Sequence, residues 1–157
     1  MQRQNQAGFS LIELLIVVTI IGIIASIAIP NLLASRRAAN EGSAQQSVRT
    51  ISSCETAYKF SYGAGKYTDL PTLGAKVMTD SVLSSGQKSG YNFVATPVSG
   101  TTEEFFAYAF PMTTTGIGST GSRRFAISED GVMRGDNNLS GPPGTIAAVQ
   151  AMSPMGQ

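Results

Sequence analysis

The stretch that decides the fold of this chain is Gly8-Phe9-Ser10-Leu11-Ile12-Glu13-Leu14, which opens a long apolar run. Residues 14–29 are all apolar or small, and only two of them carry a hydroxyl group. After Glu13 the next charged residue is Arg36. A carboxylate beside such a segment is costly in hydrocarbon, so we expect it to have a partner or a function.

The apolar run is long enough to cross a bilayer. The stretch from Phe9 to Leu33 would span about 37 Å as a helix, and in lipid the backbone must satisfy its own hydrogen bonds. Three interpretations fit this pattern: a secretory signal cut after Ala28, a plain single-pass anchor, or an assembling subunit whose helix leaves the membrane. The first two roles do not require the carboxylate of Glu13.

Composition places the chain among secreted or surface-exposed proteins. Its 157 residues suggest one domain in addition to the apolar segment. Apolar residues make up 42% of the chain and charged residues only 13%, so uncharged polar residues must cover the surface. The formal net charge is +1, which offers no electrostatic reason to bind nucleic acid.

The chemistry-bearing residues are few. The chain has no histidine, which removes Ser-His and Cys-His catalysis and the commonest neutral metal ligand. Its one cysteine, Cys54, allows neither an intrachain disulfide nor a zinc cluster. We therefore expect no enzyme, no cofactor and no metal.

The stretch from Gly8 to Leu14, the apolar run and Pro30 together strongly resemble the N-terminus of the type IV pilin and pseudopilin superfamily. The resemblance implies that a membrane aspartic prepilin peptidase cuts between Gly8 and Phe9, and that the new amine of Phe9 is N-methylated. The leader, residues 1–8, departs from the family pattern because Arg3 is its one basic residue, where two or more are common.

The resemblance also implies a role for Glu13 in assembly. After the cut, each subunit would carry a cationic amine at Phe9, and this amine and a carboxylate compensate each other when paired in an apolar filament core. Pairing between neighbouring subunits would fix their axial register. The alternative is that Glu13 pairs with the amine of its own chain.

Gly22 and Pro30 are the expected points of helix flexibility. Proline removes a backbone hydrogen bond and kinks a helix, and glycine is the weakest helix former in the run. In similar pilins the stretch between such residues loses helicity in the filament. The alternative is a simple bend.

The resemblance implies a location that charge alone does not. It places the N-terminus in the cytoplasm and Arg36-Arg37 outside, whereas a literal positive-inside count would place those arginines in the cytoplasm. The implied route runs from a single-pass form in the bacterial inner membrane to a cell-surface pilus. The implied partners are copies of the chain, minor pilins, the prepilin peptidase and the inner-membrane assembly platform.

The rest of the chain predicts an α+β fold in which a long N-terminal helix packs on a small antiparallel sheet. Four segments are expected: the leader 1–8, a transmembrane and filament-core helix 9–30, an amphipathic helix 31–62 and a globular head 63–157. The amphipathic stripe consists of Ala44, Val48, Ile51, Cys54 and Tyr58. Cys54 is therefore expected to be a buried free thiol.

The head is expected to hold the sheet. Residues 63–88 read as an irregular connection, and Tyr91–Ala95, Phe105–Phe110 and Arg124–Ile127 read as strands. Asp130-Gly131 predicts a hairpin turn that leads into a strand at Val132-Met133. A tail rich in glycine and proline follows, expected either to wrap the edge of the domain or to be mobile.

Candidate calcium ligands near the C-terminus are weak. They are Glu129, Asp130, Asp136 and Asn137, and their spacing matches no known calcium loop. Arg123-Arg124 is an equally weak signal for contact with DNA or with a neighbouring subunit. The sequence therefore favours a structural subunit of a type IV pilus, serving motility, adhesion or DNA uptake, with a type II secretion pseudopilin as the alternative.

Overall fold

The structure is a computed structural model that describes residues 8–98 and 104–155. The chain divides into two compact units, Met1–Ser35 and Arg36–Gln157. Of the expected leader, residues 1–7 lie outside the described residues. One helix, α1 (Leu11–Ser61), contributes to both units.

The expected α+β architecture is confirmed. Within the second unit, the C-terminal part of α1 packs against a five-stranded antiparallel sheet of order β1-β2-β3-β4-β5. The remaining elements are α2 (Leu70–Lys76), α3 (Ser81–Ser84), β1 (Gln87–Lys88), β2 (Tyr91–Pro97), β3 (Phe105–Pro111), β4 (Arg124–Ser128), β5 (Arg134–Asp136) and α4 (Ile146–Gln150). The three predicted strands are present as β2, β3 and β4, each one or two residues longer than expected.

Helix α1 ends where the glycines predict. The N–H of Gly63 donates to the carbonyl of Tyr58 at 2.8 Å, and Ala64 and Gly65 follow with φ of 48° and 89°. Left-handed residues at this point satisfy the last helical carbonyls and stop the helix. A Cβ on Gly63 would lie 2.2 Å from the carbonyl oxygen of Lys66, so the turn also needs a residue without a side chain.

The core of the second unit lies between α1 and one face of the sheet. The predicted stripe supplies Ala44, Val48 and Ile51, all fully buried, against aromatic and alanine side chains of β2, β3 and β4. Cys54 and Tyr58 pack against this core but are only partly buried. The prediction of a buried Cys54 is therefore wrong, because the helix face that turns inward at this level is centred one residue further on, at Glu55.

The connection between residues 63 and 88 is more regular than predicted. Two aspartates cap its short helices: Asp69 accepts a hydrogen bond from the N–H of Thr72 in α2, and Asp80 accepts from the N–H groups of Val82 and Leu83 in α3. Capping carboxylates satisfy N–H groups that would otherwise have no partner. Leu73 and Leu83 then anchor the two helices in the core.

The hairpin after β4 differs from the prediction. The strand that pairs with β4 is Arg134–Asp136, so Val132 and Met133 belong to a five-residue loop rather than to a strand. Asp130 does not occupy a tight two-residue turn, because its carboxylate is drawn into hydrogen bonds with Ser128, Val132 and Arg134. The loop is consequently longer than an Asp-Gly turn requires.

The C-terminal tail wraps the edge of the sheet and contains a helix that was not predicted. Thr145 caps α4 by accepting from the N–H of Ala148 at 3.2 Å. Val149 and Met152 pack on the sheet face opposite α1, against Phe106 and Ala126. The N–H of Gly135 then donates to the carbonyl of Ser153, so the tail covers the free edge of β5.

Tyr91 shows how tightly β2 and the loop before β4 fit together. Its side chain is fully buried, and its hydroxyl donates to the carbonyl of Arg123 at 2.8 Å. A Cβ on Gly121 would lie 1.9 Å from that hydroxyl oxygen. Since the tyrosine cannot move without losing its hydrogen bond, Gly121 has no room for a larger residue.

We expect Gly121→Ala to lower the free energy of unfolding of the head by about 1–3 kcal/mol, the usual cost of overpacking a core. Thermal unfolding of the full chain in detergent, followed by near-UV circular dichroism, should show Tm reduced by about 3–10 °C. Gly118→Ala is the matched control, because nothing lies within 4 Å of the Cβ it would add. Equal melting of the two variants would contradict the packing described for Tyr91.

Candidate functional site

The Gly8–Phe9 peptide bond is open to solvent and lies ahead of the first helical residue. Gly8, Phe9 and Ser10 precede α1, and Phe9 is 88% exposed. A Cβ on Gly8 would meet nothing within 4 Å, so no part of the described chain covers this bond. Non-helical, uncovered backbone of this kind is accessible to a protease.

Glu13 is bound to its own helix end. The backbone N–H of Ser10 donates to Oε2 of Glu13 at 2.9 Å, while the carbonyl of Ser10 accepts from the N–H of Leu14 at 3.3 Å. This is the carboxylate half of a capping box, in which a glutamate three residues into the helix reaches back to the N-cap N–H. The Ser-x-x-Glu spacing from Ser10 to Glu13 is the sequence signal that could have predicted this capping box.

The N-terminal part of α1, as far as Leu32, presents an apolar surface that no other described residue covers. The large apolar side chains between Phe9 and Leu32 are each 47–88% exposed. By length and composition α1 is the one described helix able to cross a membrane. Its hydroxyls cause no difficulty there, because Thr19 donates to the carbonyl of Leu15 and Ser26 donates to that of Ile23.

The helix passes through both expected points of flexibility without interruption. Gly22 and Pro30 lie within α1, which runs continuously from Leu11 to Ser61. No neighbour explains the glycine, since a Cβ at Gly22 would meet nothing within 4 Å. The flexibility of this stretch stays a prediction.

A buried carboxyl that sequence reasoning missed lies further along α1. Glu55 is fully buried, and its Oε2 accepts a hydrogen bond from the N–H of Thr68 at 3.1 Å. Its Oε1 has no hydrogen-bond partner among the described residues. The helical spacing from Val48 through Ile51 to position 55 could have placed this residue on the inner face.

The environment of Glu55 favours the neutral acid. Burial raises its pKa to about 7, the hydrogen bond from Thr68 opposes this rise, and the nearby carboxylate of Asp69 adds to it. A protonated Glu55 can still accept the hydrogen bond from Thr68 through its carbonyl oxygen. The connection after α1 is therefore fastened to the helix by an uncharged carboxyl below about pH 7.

Two of the four candidate calcium ligands, Asp130 and Asp136, are engaged in ion pairs. Asp130 pairs with Arg134, and Asp136 forms a two-point ion pair with Arg124 at 2.6 and 2.9 Å. The hydrogen bond from Arg134 is the main cause that lowers the pKa of Asp130 to about 2. Among residues 8–98 and 104–155, no group of three acidic, histidine or cysteine side chains is placed to hold a metal.

The Arg123-Arg124 pair does not form a basic patch. Arg124 is largely buried in its ion pair with Asp136 and also donates to the carbonyl of Gly141 at 2.6 Å. Arg123 points elsewhere, with its guanidinium 5.7 Å from the ring centroid of Phe125. The two side chains thus have separate structural roles.

Residues 3–29 match the family model described as the prokaryotic N-terminal methylation motif. The chain has the prepilin-type N-terminus of the type IV pilin and pseudopilin superfamily. The matched range contains the Gly8–Phe9 bond, Glu13 and most of the apolar run, and the resemblance drawn from those residues is confirmed.

Relatives of the prepilin-type chain fall into two groups. The type IV wide pilus major component PilA4 of Thermus thermophilus is 60% identical over 38 residues, 24% of this chain and 29% of the relative. Type II secretion system core protein G of Aeromonas hydrophila is 34% identical over 59 residues, 38% and 41% of the two chains. The protein of that name from Vibrio cholerae is 33% identical over 68 residues, 43% and 47% of the two chains.

The chain therefore matches less than half the length of each of these relatives. No solved structure matches it significantly. The fold of the head is described by the structure alone.

We expect the free energy of unfolding of the second unit, which contains Glu55, to fall as the pH rises from about 4.5 to about 7. The unfolded carboxyl ionises near pH 4.5, whereas the folded one stays protonated until about pH 7. Because the folded state then binds more protons, a stabilising contribution that is complete below pH 4.5 is lost by about pH 7. Glu55→Gln keeps an acceptor for Thr68 and does not titrate, so its stability should exceed that of the wild type above pH 7 by about 3 kcal/mol.

Thermal unfolding of both chains in detergent between pH 4.5 and 8 checks this expectation, and Glu129→Gln serves as an exposed control. The carboxyls of Asp69, Asp80, Asp130 and Asp136 have lowered pKa values and titrate below this window. Parallel pH profiles for the wild type and Glu55→Gln would show that Glu55 is ionised when folded.

Proposed function

We propose that this chain is a non-catalytic structural subunit of a type IV pilus, cut by a prepilin peptidase between Gly8 and Phe9 and polymerised into a surface filament. The observation that carries the proposal is the arrangement at the start of α1. An uncovered Gly8–Phe9 bond, one carboxylate at Glu13 and an exposed apolar helix follow one another within a short stretch. Motility, adhesion and DNA uptake would be properties of the filament.

The apolar surface explains why the subunit needs first a membrane and then other subunits. Full burial of one large apolar side chain contributes about 1.5–3 kcal/mol. Residues from Phe9 to Leu32 leave many such side chains exposed in the isolated chain. A bilayer covers them before assembly, and the packed helices of a filament would cover them afterwards.

Glu13 supplies the selectivity that apolar packing lacks. Cleavage would give Phe9 a cationic amine, and the matching charge in a neighbouring subunit is Glu13. A stagger that leaves either charge unpaired in an apolar core costs about 3–5 kcal/mol, so one axial offset between neighbours is preferred. N-methylation of Phe9 would keep the amine basic and cationic.

The proposed route fixes orientation and partners. The N-terminus lies in the cytoplasm, where the peptidase reaches Gly8, and Arg36-Arg37 lie on the far side of the inner membrane. The assembly platform then transfers subunits into the filament, with minor pilins as further partners. Gly22 and Pro30 would allow the helix to lengthen under load, because both weaken its hydrogen-bond ladder.

A second candidate is a pseudopilin of a type II secretion system. It is supported by the relatives named type II secretion system core protein G, whose matches run over 59 and 68 residues, compared with 38 for the pilus relative. Cleavage, membrane storage and assembly would be the same in both cases. The two differ in the filament, which is a long surface fibre in one and a short periplasmic one in the other.

Mass spectrometry of the native N-terminus tests the proposal. We expect N-methyl-Phe9 as the first residue, abundant in filaments sheared from the cell surface. The same terminus confined to membranes, with a secretion defect in the deletion strain, would favour the pseudopilin. A chain that starts at Met1 or at Ile29 would overturn the proposal.

We expect Glu13→Gln to reduce sheared filaments by on the order of a hundredfold, because the buried amine loses its countercharge. Cleavage at Gly8 should continue at the wild-type level, since the variant leaves residues 8 and 9 unchanged. Thr19→Val is the matched control: it removes a polar group whose hydroxyl is satisfied within its own helix. Filament yield from quantitative immunoblots of sheared and membrane fractions decides the matter, and normal yield from Glu13→Gln would contradict the pairing.

A further inference from the structure

The carboxylate of Glu13 is held by one oxygen and free at the other. Oε2 accepts from the backbone N–H of Ser10 at 2.9 Å. Oε1 takes part in no hydrogen bond within the described residues around it. A carboxylate has about four lone-pair sites, so the bond to Ser10 leaves room for a second donor.

The donor in this bond, the Ser10 N–H, is present whether or not the chain has been cut between Gly8 and Phe9. The donor is the amide that joins Phe9 to Ser10, one bond beyond the proposed cut between Gly8 and Phe9. Cleavage would turn the nitrogen of Phe9 into an amine and leave the Ser10 amide intact. The same backbone donor is therefore available to Glu13 before and after processing.

We propose that the bond seen in the single chain, from the Ser10 N–H to Oε2 of Glu13, persists in the filament, where the N–H is a positioning group that leaves Oε1 for the Phe9 amine of a neighbouring subunit. The inference rests on the proposed function and adds the group that orients its carboxylate. Because the Ser10 N–H already donates to Glu13, the carboxylate does not need the Phe9 amine of the same chain as a partner. The charge is thus supported in the single subunit and still able to pair.

Two physical effects support these separate roles of Oε1 and Oε2. The first N–H groups of a helix have no intrahelical partner, and in hydrocarbon an unsatisfied group is costly, so the bond to Glu13 stabilises the helix end as well. The helix dipole also favours a negative charge in the first turn. A carboxylate fixed by one bond loses less conformational freedom when the incoming amine binds it, which favours binding.

Proline substitution removes the donor without changing the charge. Ser10→Pro lacks the N–H that binds Glu13, whereas Leu11→Pro removes the neighbouring N–H, which has no partner among the described residues. Ser10→Ala keeps the N–H and loses only the hydroxyl. We expect sheared filaments to fall at least about tenfold in Ser10→Pro relative to Leu11→Pro, the scale of one hydrogen bond to a charged group, and to stay normal in Ser10→Ala.

Each variant's N-terminus is read by mass spectrometry, and the filament yield is expressed per cleaved subunit, so that a slower cut does not imitate weaker assembly. Equal yields per cleaved subunit from the two proline variants would overturn the positioning role. A loss in Ser10→Ala equal to that in Ser10→Pro would overturn it as well, because the hydroxyl rather than the N–H would then be responsible.

Amide hydrogen exchange tests the bond itself without reference to filaments. In the full chain in lipid micelles, followed by NMR, the Ser10 amide should exchange about tenfold faster in Glu13→Ala than in the wild type. Glu13→Gln should stay close to the wild type, because its side-chain oxygen still accepts the N–H. Identical exchange in all three chains would overturn the proposed bond, even in cells where filaments form. A wild-type chain that keeps the Ser10 bond and never enters a filament would overturn the proposed function and, with it, the role of Oε1.

Discussion

A lone carboxylate in an apolar helix must be balanced both in the single chain and in the proposed filament, and this constraint organises the chain. In the single subunit the Ser10 N–H supplies part of that balance at 2.9 Å. In the proposed filament the Phe9 amine of a neighbour supplies the rest. Because nonpolar packing alone tolerates many staggers, the cost of leaving a charge unpaired is what would select one of them. The surrounding isoleucine and valine side chains then contribute affinity without specificity.

The second unit meets a different requirement, since it must stay folded without disulfides, and among its described residues no metal cluster helps. Its stability comes from the inner face of α1 and the sheet, with Ala44, Val48 and Ile51 fully buried. At the two edges of the sheet, the tail forms a bridge with β5, and β1 pairs with the start of β2. Glu55 is the exception in this core, and its neutral form ties the connection after α1 to the helix below about pH 7.

The features that could be predicted are those with a strong local cause. The apolar run is uninterrupted, the stripe through Ala44, Val48 and Ile51 has a helical period, and the strands are rich in aromatic residues; all three match the structure. The motif around Gly8 and Glu13 was recognisable by its resemblance to a known family, and the matching family model covers the same residues.

The features that were missed depend on contacts distant in sequence or on very short elements. Helix α4 has five residues and β1 has two, which is too little for any period to be visible. The hairpin after β4 was misplaced because Arg134 and Ser128 bind the carboxylate of Asp130, a competition that the Asp-Gly pattern does not reveal. Glu55 was missed because polarity suggested exposure, whereas the partner that allows burial lies at Thr68.

A zero-length cross-link tests whether the Phe9 amine of one chain meets the Glu13 carboxylate of another in the proposed filament. Filaments grown from mixed nitrogen-15-labelled and unlabelled subunits would be treated with a membrane-permeant carbodiimide, digested and analysed by mass spectrometry. We expect Phe9–Glu13 cross-linked peptides in which one half is labelled and the other is not. Cross-links found only within uniformly labelled or uniformly unlabelled peptides would show that the pair forms inside one chain, and would contradict this expectation.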